Sequence, residues 1–238
     1  MDELSQRFLT AFNSIEDFLR RQTRSDNRVS FYALIAAAEK THPGVRRNAN
    51  DLRAYGDLRN AVAHRYDIER PLATPNGEAV DVFEKICEQI LKPPVVGSFF
   101  NSAVTTASWD DRIGPVVQQM YEGDFSQVPV QREGKLVALL TAETVARWLA
   151  GRFQRESEII LESEPVSNVL EFTEPTTVFE IISRNTPVVD AIASFEDHYK
   201  SGKSLDAIII THNGRNVETP TGIVTISDMP KLHGSLTI

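Results

Sequence analysis

SQVPVQREG, Ser126 to Gly134, and DAIIITHNG, Asp206 to Gly214, read as one motif written twice. Each is an apolar run with strand character followed by a pair, Glu133-Gly134 or Asn213-Gly214, of the kind that turns a hairpin. The match extends in both directions. PVV at Pro115 to Val117 recurs at Pro187 to Val189, 72 residues on; the motif itself recurs 80 residues on; ALLTAET from Ala138 recurs as GIVTISD from Gly222, 84 residues on. Because the offsets grow in chain order, one insertion of eight residues around FEDHYKSGK and one of four at RNVETP account for all three. A strand, helix, strand, hairpin, strand, helix unit is thus predicted twice, and this part is α/β.

Upstream the period changes. In ELSQRFLTAFNSIEDFLRRQ, Leu4, Phe8, Phe12, Ile15, Phe18 and Leu19 recur at three- and four-residue steps and predict an amphipathic helix. SFYALIAAAEKTHPG predicts a second, with Ser30 as N-cap and His42, Pro43 and Gly44 as its stop. A third begins at Asn50 or Asp51 and runs through DLRNAVAHRY. EAVDVFEKICEQILK gives a fourth, burying Val80, Phe83, Ile86, Cys87, Ile90 and Leu91. Pro93 and Pro94 cannot continue that helix, because proline lacks the N–H and clashes with the preceding turn. The expected organisation is multidomain, α then α/β: a helical bundle over 1–92 and a tandem α/β pair over 93–238, its copies at about 95–155 and about 165–238.

The 238 residues are 41% hydrophobic and 24% charged, enough for two modest cores. Cys87 is the single cysteine, so no intramolecular disulfide forms and a reducing compartment is the expected home. MDELSQRF is no leader and no uncharged run approaches a membrane span, so a soluble, cytoplasmic protein without a membrane partner is expected. Net charge is −8; residues 1–92 balance 14 basic against 14 acidic side chains, while 93–238 hold 11 against 19. A polyanion would meet less opposition at the N-terminal part. ESEIILESE lacks well-spaced ligands and reads as an exposed linker helix; no metal site is expected. Trp109, Trp148 and Phe99-Phe100 read as core. RRQTRSDNR, from Arg20, and Arg46-Arg47 read as solvated loops, or as residues that follow a phosphate backbone.

On FSQVPVQREGKLVALLTAETVARWL, NTPVVDAI, LDAIIITHNG and GIVTISDMPKL, the C-terminal part resembles the cystathionine beta-synthase (CBS, Bateman-type) domain pair. That resemblance implies a cleft between the copies for an adenine nucleotide, a regulatory ligand rather than a required cofactor. Asp228 at a helix start would accept both ribose hydroxyls. Thr225 and the helix N-terminus would donate to phosphate, as would Thr186 to the ligand. The backbone of Asp206, Ala207 and Ile208 would meet the base edge. The first copy departs from the pattern, with Thr144 where Asp228 stands, Gly114 for Thr186 and Ala138 for Gly222. Its weaker site would comprise Ser126, Val128, Pro129, Thr141 and Thr144. The alternative is that Asp228 and Ser227 only cap a helix and the pair serves as a dimerisation platform.

DLRNAVAHRY, Asp57 to Tyr66, places Asn60 and His64 four apart on one helical face and Arg59 and Tyr66 seven apart beside it. A base neutral near pH 7, a permanent cation, an amide and a phenol share one patch. A bundle with this spacing resembles the HEPN (higher eukaryotes and prokaryotes nucleotide-binding) domain. The resemblance implies a metal-independent endoribonuclease acting as a homodimer that puts two motifs across one cleft. His64 would be general acid or base, Arg59 would hold the scissile phosphate, Asn60 would fix the ring and Tyr66 would position RNA or accept adenylate from a modifying enzyme. An antitoxin is a further partner of that kind. The competing expectation is a non-catalytic nucleotide sensor whose helical domain mediates dimerisation or docks a partner.

Overall fold

The computed structural model describes residues 2–63, 73–153 and 164–236. The chain divides into two compact units, one of Met1–Pro94, Val188–Asp190 and His233–Ile238, the other of Val95–Pro187 and Ala191–Leu232.

In the first unit, α1 (Glu3–Thr23) opens on Asp2, whose carboxylate accepts from the Ser5 N–H at 2.9 Å, and ends on Arg24 in the left-handed region. Phe8, Phe12, Ile15 and Leu19 form its buried stripe, flanked by half-buried Leu4 and Phe18. α2 (Phe31–Ala38) is capped by Ser30, as its sequence predicts. The HPG stretch does not stop this helix, which has already ended at Ala38. Instead Pro43 is the first residue of α3 (Pro43–Arg47), where its missing N–H costs nothing, and His42 Nδ1 caps that helix by accepting from the Val45 N–H. α4 (Ala49–Ala63) therefore starts just after a helix rather than after a loop, and α5 (Gly77–Leu91) begins on an Asn76 cap. Phe83 of α5 centres the core, with ring centroids 4.4 Å from Tyr55, 5.2 Å from Phe8 and 6.2 Å from Phe12.

The second unit holds two three-stranded sheets built alike. In the first, β1 (Ala107–Ser108) runs parallel to β2 (Gln127–Arg132), which pairs antiparallel with β3 (Lys135–Thr141); α6 (Ile113–Glu122) joins β1 to β2, and α7 (Ala142–Phe153) follows β3. After α8 (Val166–Leu170) the order repeats as β4 (Phe179–Ser183), α9 (Val188–Lys200), β5 (Ala207–Thr211), β6 (Gly222–Val224), a 3-10 turn at Ile226–Asp228 and α10 (Met229–Gly234). Glu133 and Gly134 both take positive φ, 51° and 73°, the two-residue turn expected of them. Asn213-Gly214 does not turn a tight hairpin. The loop from β5 to β6 is longer, and Glu218 organises it by accepting from the Asn213 N–H and side-chain amide at 2.7 Å each. Those hydrogen bonds hold the Glu218 carboxyl down at about 2. The loop then reaches the first sheet, where Asn216 O accepts from the edge-strand Leu136 N–H at 2.7 Å.

The two copies exchange backbone where each is locally incomplete. Residues leading into the first copy bond to the second: Val96 N–H to Thr186 O and Gly97 N–H to Arg184 O, both 2.9 Å. Residues leading into the second copy bond to the first: Ile113 N–H to Glu164 O at 2.9 Å, Val166 N–H to Asp111 O at 2.8 Å and Ser167 N–H to Trp109 O at 3.0 Å. Trp148 is buried, but Trp109 is only half-buried beneath the Arg132 guanidinium, and Phe99 lies on the surface while Phe100 is core. The linker stretch around ESEIILESE lies outside the described residues apart from Glu164.

A Cβ at position 97 would sit 2.7 Å from Arg184 O, so Gly97→Ala should lower stability by about 1–3 kcal/mol, read from its denaturant midpoint. Phe83→Ala empties the middle of the aromatic cluster and should lose about 3–5 kcal/mol in the same measurement. Burial pushes the Cys87 thiol up to about 12, so little thiolate exists at neutral pH. Native protein should therefore resist maleimide at pH 7.5 and react only in denaturant; prompt labelling of the folded chain would contradict this packing.

Candidate functional site

Sheet register decides which of the expected ligand residues meet. β4 runs parallel to β5 with Phe179 opposite Ala207 and Ser183 opposite Thr211, while β6 returns antiparallel with Val224 opposite Ile208. Asp206, Ala207, Thr225 and Asp228 thus gather at the end of the sheet where β4 and β5 begin. Thr186 follows the opposite end, beyond Ser183, and at about 3.3 Å per residue the strand alone separates the two ends by about 13 Å. Thr186 is therefore not part of this cluster. Its carbonyl belongs to the exchange between copies, accepting from the Val96 N–H.

Asp228 is held in place by the turn it closes. Its Oδ2 accepts from the Thr225 N–H at 2.8 Å and the Thr225 hydroxyl at 3.1 Å, while its own N–H donates to Thr225 O at 3.0 Å. The helix-capping role and an open acceptor coexist: Oδ2 fixes the carboxylate, and Oδ1 takes no hydrogen bond from any described residue. A half-buried carboxylate oxygen with two open lone pairs is suited to two neighbouring hydroxyl donors.

The backbone partners are fewer than the sequence suggests. The Asp206 N–H donates to Val178 O, and Asp206 Oδ2 accepts from the Val178 N–H, both at 2.8 Å. Ile208 lies inside the ladder, opposite Glu180 on one side and Val224 on the other, so its backbone is committed to the sheet. Asp206 and Ala207 both lie past the end of the β5–β6 ladder, and of the two Asp206 is tied to Val178. Thr177 and Val178, entering β4, join the cluster and were not singled out from the sequence. The signal available was the TTV run immediately before a strand, but its relevance depends on register with Asp206.

The first copy repeats the geometry without the carboxylate. Gln127 pairs with Thr141 and Val128 with Leu140, which brings Ser126, Val128, Pro129, Thr141 and Thr144 to the matching end of that sheet. Thr144 is 1% exposed and its hydroxyl lies 2.9 Å from the Thr141 hydroxyl, which also accepts from the Thr144 N–H. It closes the turn as Asp228 does and presents no acceptor outward.

In the helical unit, Arg59 and Asn60 lie on α4 and help wall a cavity of about 370 Å³. The Arg59 guanidinium lies 5.7 Å from the Phe12 ring centroid, and its buried Nε finds no hydrogen-bond partner among the described residues. Tyr32, across the same cavity, donates to Asp57 at 2.6 Å, and that bond raises its phenol above the ordinary value. His64 and Tyr66 lie outside the described residues. Among the described residues no cluster of His, Cys, Asp and Glu has the makings of a metal site, and no helix is long and apolar enough to cross a membrane.

No family model matches the chain, and no curated protein is significantly similar to it. Solved structures are similar to its C-terminal region. One is the CBS domain pair of protein MJ0100 in complex with 5′-methylthioadenosine and S-adenosyl-L-methionine, at 19% identity and TM-score 0.43, covering 61% of this chain and 99% of that one. Another is Hypoxic Response Protein I with two coordinated zinc ions, at 16% identity and TM-score 0.42, covering 58% and 98%. A third is protein MJ1225 from Methanocaldococcus jannaschii, at 16% identity and TM-score 0.45, covering 70% of this chain and 56% of that one.

Proposed function

We propose that this chain is a nucleotide-responsive regulator in which a helical domain, residues 1–92, is controlled by a CBS-type pair, residues 93–238, that binds an adenine nucleotide in the cleft of its second copy. The observation that carries the reading is the Asp228 carboxylate, oriented through Oδ2 by Thr225 and open at Oδ1. A ribose diol places two donors side by side, and an immobilised acceptor takes both without ordering cost at the moment of binding. Thr177 and Thr225 flank it as hydroxyls for the phosphate or ribose, and Ala207 offers the backbone edge nearest the base. The first copy, with Thr144 buried in place of the carboxylate, binds weakly or not at all.

For the output of the helical domain we favour RNA cleavage by the HEPN-type set Arg59, Asn60, His64 and Tyr66, working without a metal in a homodimer. The supporting observation is that the buried Nε of Arg59, at the wall of a cavity, has no hydrogen-bond partner among the described residues, and a buried guanidinium N–H without an acceptor is costly unless an anion supplies one. Arg59 would hold the scissile phosphate and offset the charge that grows on it; His64 would move the proton of the 2′-hydroxyl or of the leaving oxygen. Nucleotide binding changes that output only by favouring one dimer arrangement over another. The rival reading, a non-catalytic sensor whose helical domain mediates dimerisation or partner docking, is favoured by the stacking of Arg59 on Phe12, which is a packing role. An antitoxin or an adenylating enzyme acting at Tyr66 belongs to the first reading alone.

Calorimetry with AMP, ADP and ATP should give one site per chain. Asp228→Ala should weaken each by about 1.5–3 kcal/mol, the worth of hydrogen bonds to a charged group, whereas Thr186→Ala should leave affinity within a factor of two. Two equal sites, or a loss confined to Thr186→Ala, would overturn the assignment. In a chelator-containing cleavage assay, His64→Ala and Arg59→Ala should abolish RNA cutting in protein that still unfolds in one cooperative transition. Wild-type protein that cuts no RNA with or without nucleotide would establish the sensor reading instead.

A further inference from the structure

The cavity beside Arg59 is lined in part by the α1–α2 loop, from Asn27 to Ser30, which the cleavage motif does not include. Arg20 braces that loop from below. Its guanidinium donates to Asp26 O and to Val29 O, and it pairs with Glu16 one helical turn back. The loop is also tied within itself, since the Arg28 N–H donates to Asp26 Oδ1 at 2.8 Å. Backbone fixed in this way leaves the Arg28 side chain at the cavity rim, exposed and with no side-chain partner among the described residues.

Charge bookkeeping around the space is one-sided. Among the described residues that line it, Arg20, Arg28 and Arg59 stand against one carboxylate, Glu16, which Arg20 already matches; just outside the lining, Asp26 accepts from the Arg28 N–H and Asp57 from the Tyr32 hydroxyl. Arg28 and Arg59 thus have no carboxylate partner among the described residues, around a space of about 370 Å³, within the range of small-ligand cavities, about 300–1,000 Å³. This occurs in a chain whose net charge is −8. Phe12, at the base, supplies an apolar floor under Arg59. Guanidiniums at one cavity without a carboxylate partner among the described residues suit a ligand that carries more than one negative charge.

We propose that this cavity is a second phosphate subsite, in which Arg28 holds the phosphodiester next to the one held by Arg59 on a single RNA strand, and Arg20 is the positioning residue that fixes Arg28. The proposal rests on the ribonuclease reading of the helical domain and extends it from the cleaved bond to the strand beside it. Arg28 then contributes affinity and strand register rather than chemistry, as phosphate contacts do generally.

The test uses full-length protein and a short single-stranded RNA whose 2′-hydroxyls are all methylated, so that binding is read without cleavage, by fluorescence anisotropy over a series of salt concentrations. Arg28→Ala should weaken binding about three- to fivefold, as an exposed charge contact allows, and flatten the slope of log affinity against log salt by about 0.7, the value of one single-strand phosphate contact. Arg28→Lys should retain most of the slope. Lys85→Ala, which removes an exposed charge of α5 away from the cavity, should leave the slope unchanged. A wild-type slope in Arg28→Ala, an equal loss in Lys85→Ala, or no binding by wild type overturns the subsite. Unmethylated RNA run in parallel separates the two ideas: binding that depends on Arg28 without any cutting removes the ribonuclease reading and keeps the subsite, whereas cutting with equal efficiency by wild type and Arg28→Ala does the reverse.

Discussion

Each copy of the α/β repeat is closed by backbone that belongs to the approach of the other copy, and this exchange is the constraint on which the second unit depends. A three-stranded sheet with one short strand leaves N–H and C=O groups open where its first strand turns into its first helix. Those groups are satisfied by Val96 and Gly97 at the second copy and by Glu164, Val166 and Ser167 at the first. Neither copy can be removed without orphaning backbone in its twin. The contact also explains Gly97, because backbone passing within 2.7 Å of where a Cβ would stand tolerates no side chain.

With the copies locked together, differences between their equivalent turns acquire meaning. Both turns that follow the last strand are closed by the residue three positions on, Thr144 onto Thr141 and Asp228 onto Thr225. A threonine has one oxygen, and the turn uses it; a carboxylate has two, and the turn uses one. The same local requirement therefore leaves a spare, oriented acceptor in the second copy and nothing in the first. Capping and an open acceptor are not competing descriptions of Asp228, because the first fixes the carboxylate that carries the second.

What the sequence made legible was local. The apolar stripes of α1 and α5, the Ser30 cap and the Glu133-Gly134 turn are each decided by residues within a few positions of one another, and all appear as read. Pro43 shows the limit even at short range: a proline ends one helix or begins the next, and only the earlier end of α2 at Ala38 tells which. The Asn213-Gly214 pair misled because Glu218, five residues on, captures Asn213 and shapes a longer loop. Thr186 misled for a different reason. A hydroxyl just before a helix can donate to a ligand, but that place says nothing about which end of a sheet the residue occupies; that is fixed by strand direction and register, a non-local property.

The helical unit poses the converse problem, since its motif is compact in sequence while its cavity is assembled from distant segments. Arg59 comes from α4, Phe12 and Arg20 from α1, and Arg28 from the loop after α1. No spacing rule links them; the link is Phe12, which packs against Phe31 at 4.4 Å in the core and carries Arg59 above it. Stacking of this kind desolvates a guanidinium from one side, which makes its remaining N–H donors more dependent on a partner. The packing of Arg59 and the dependence of its remaining donors on a partner are thus two consequences of one contact. The aromatic core that stabilises the bundle is also what prevents this arginine from being an ordinary solvated charge.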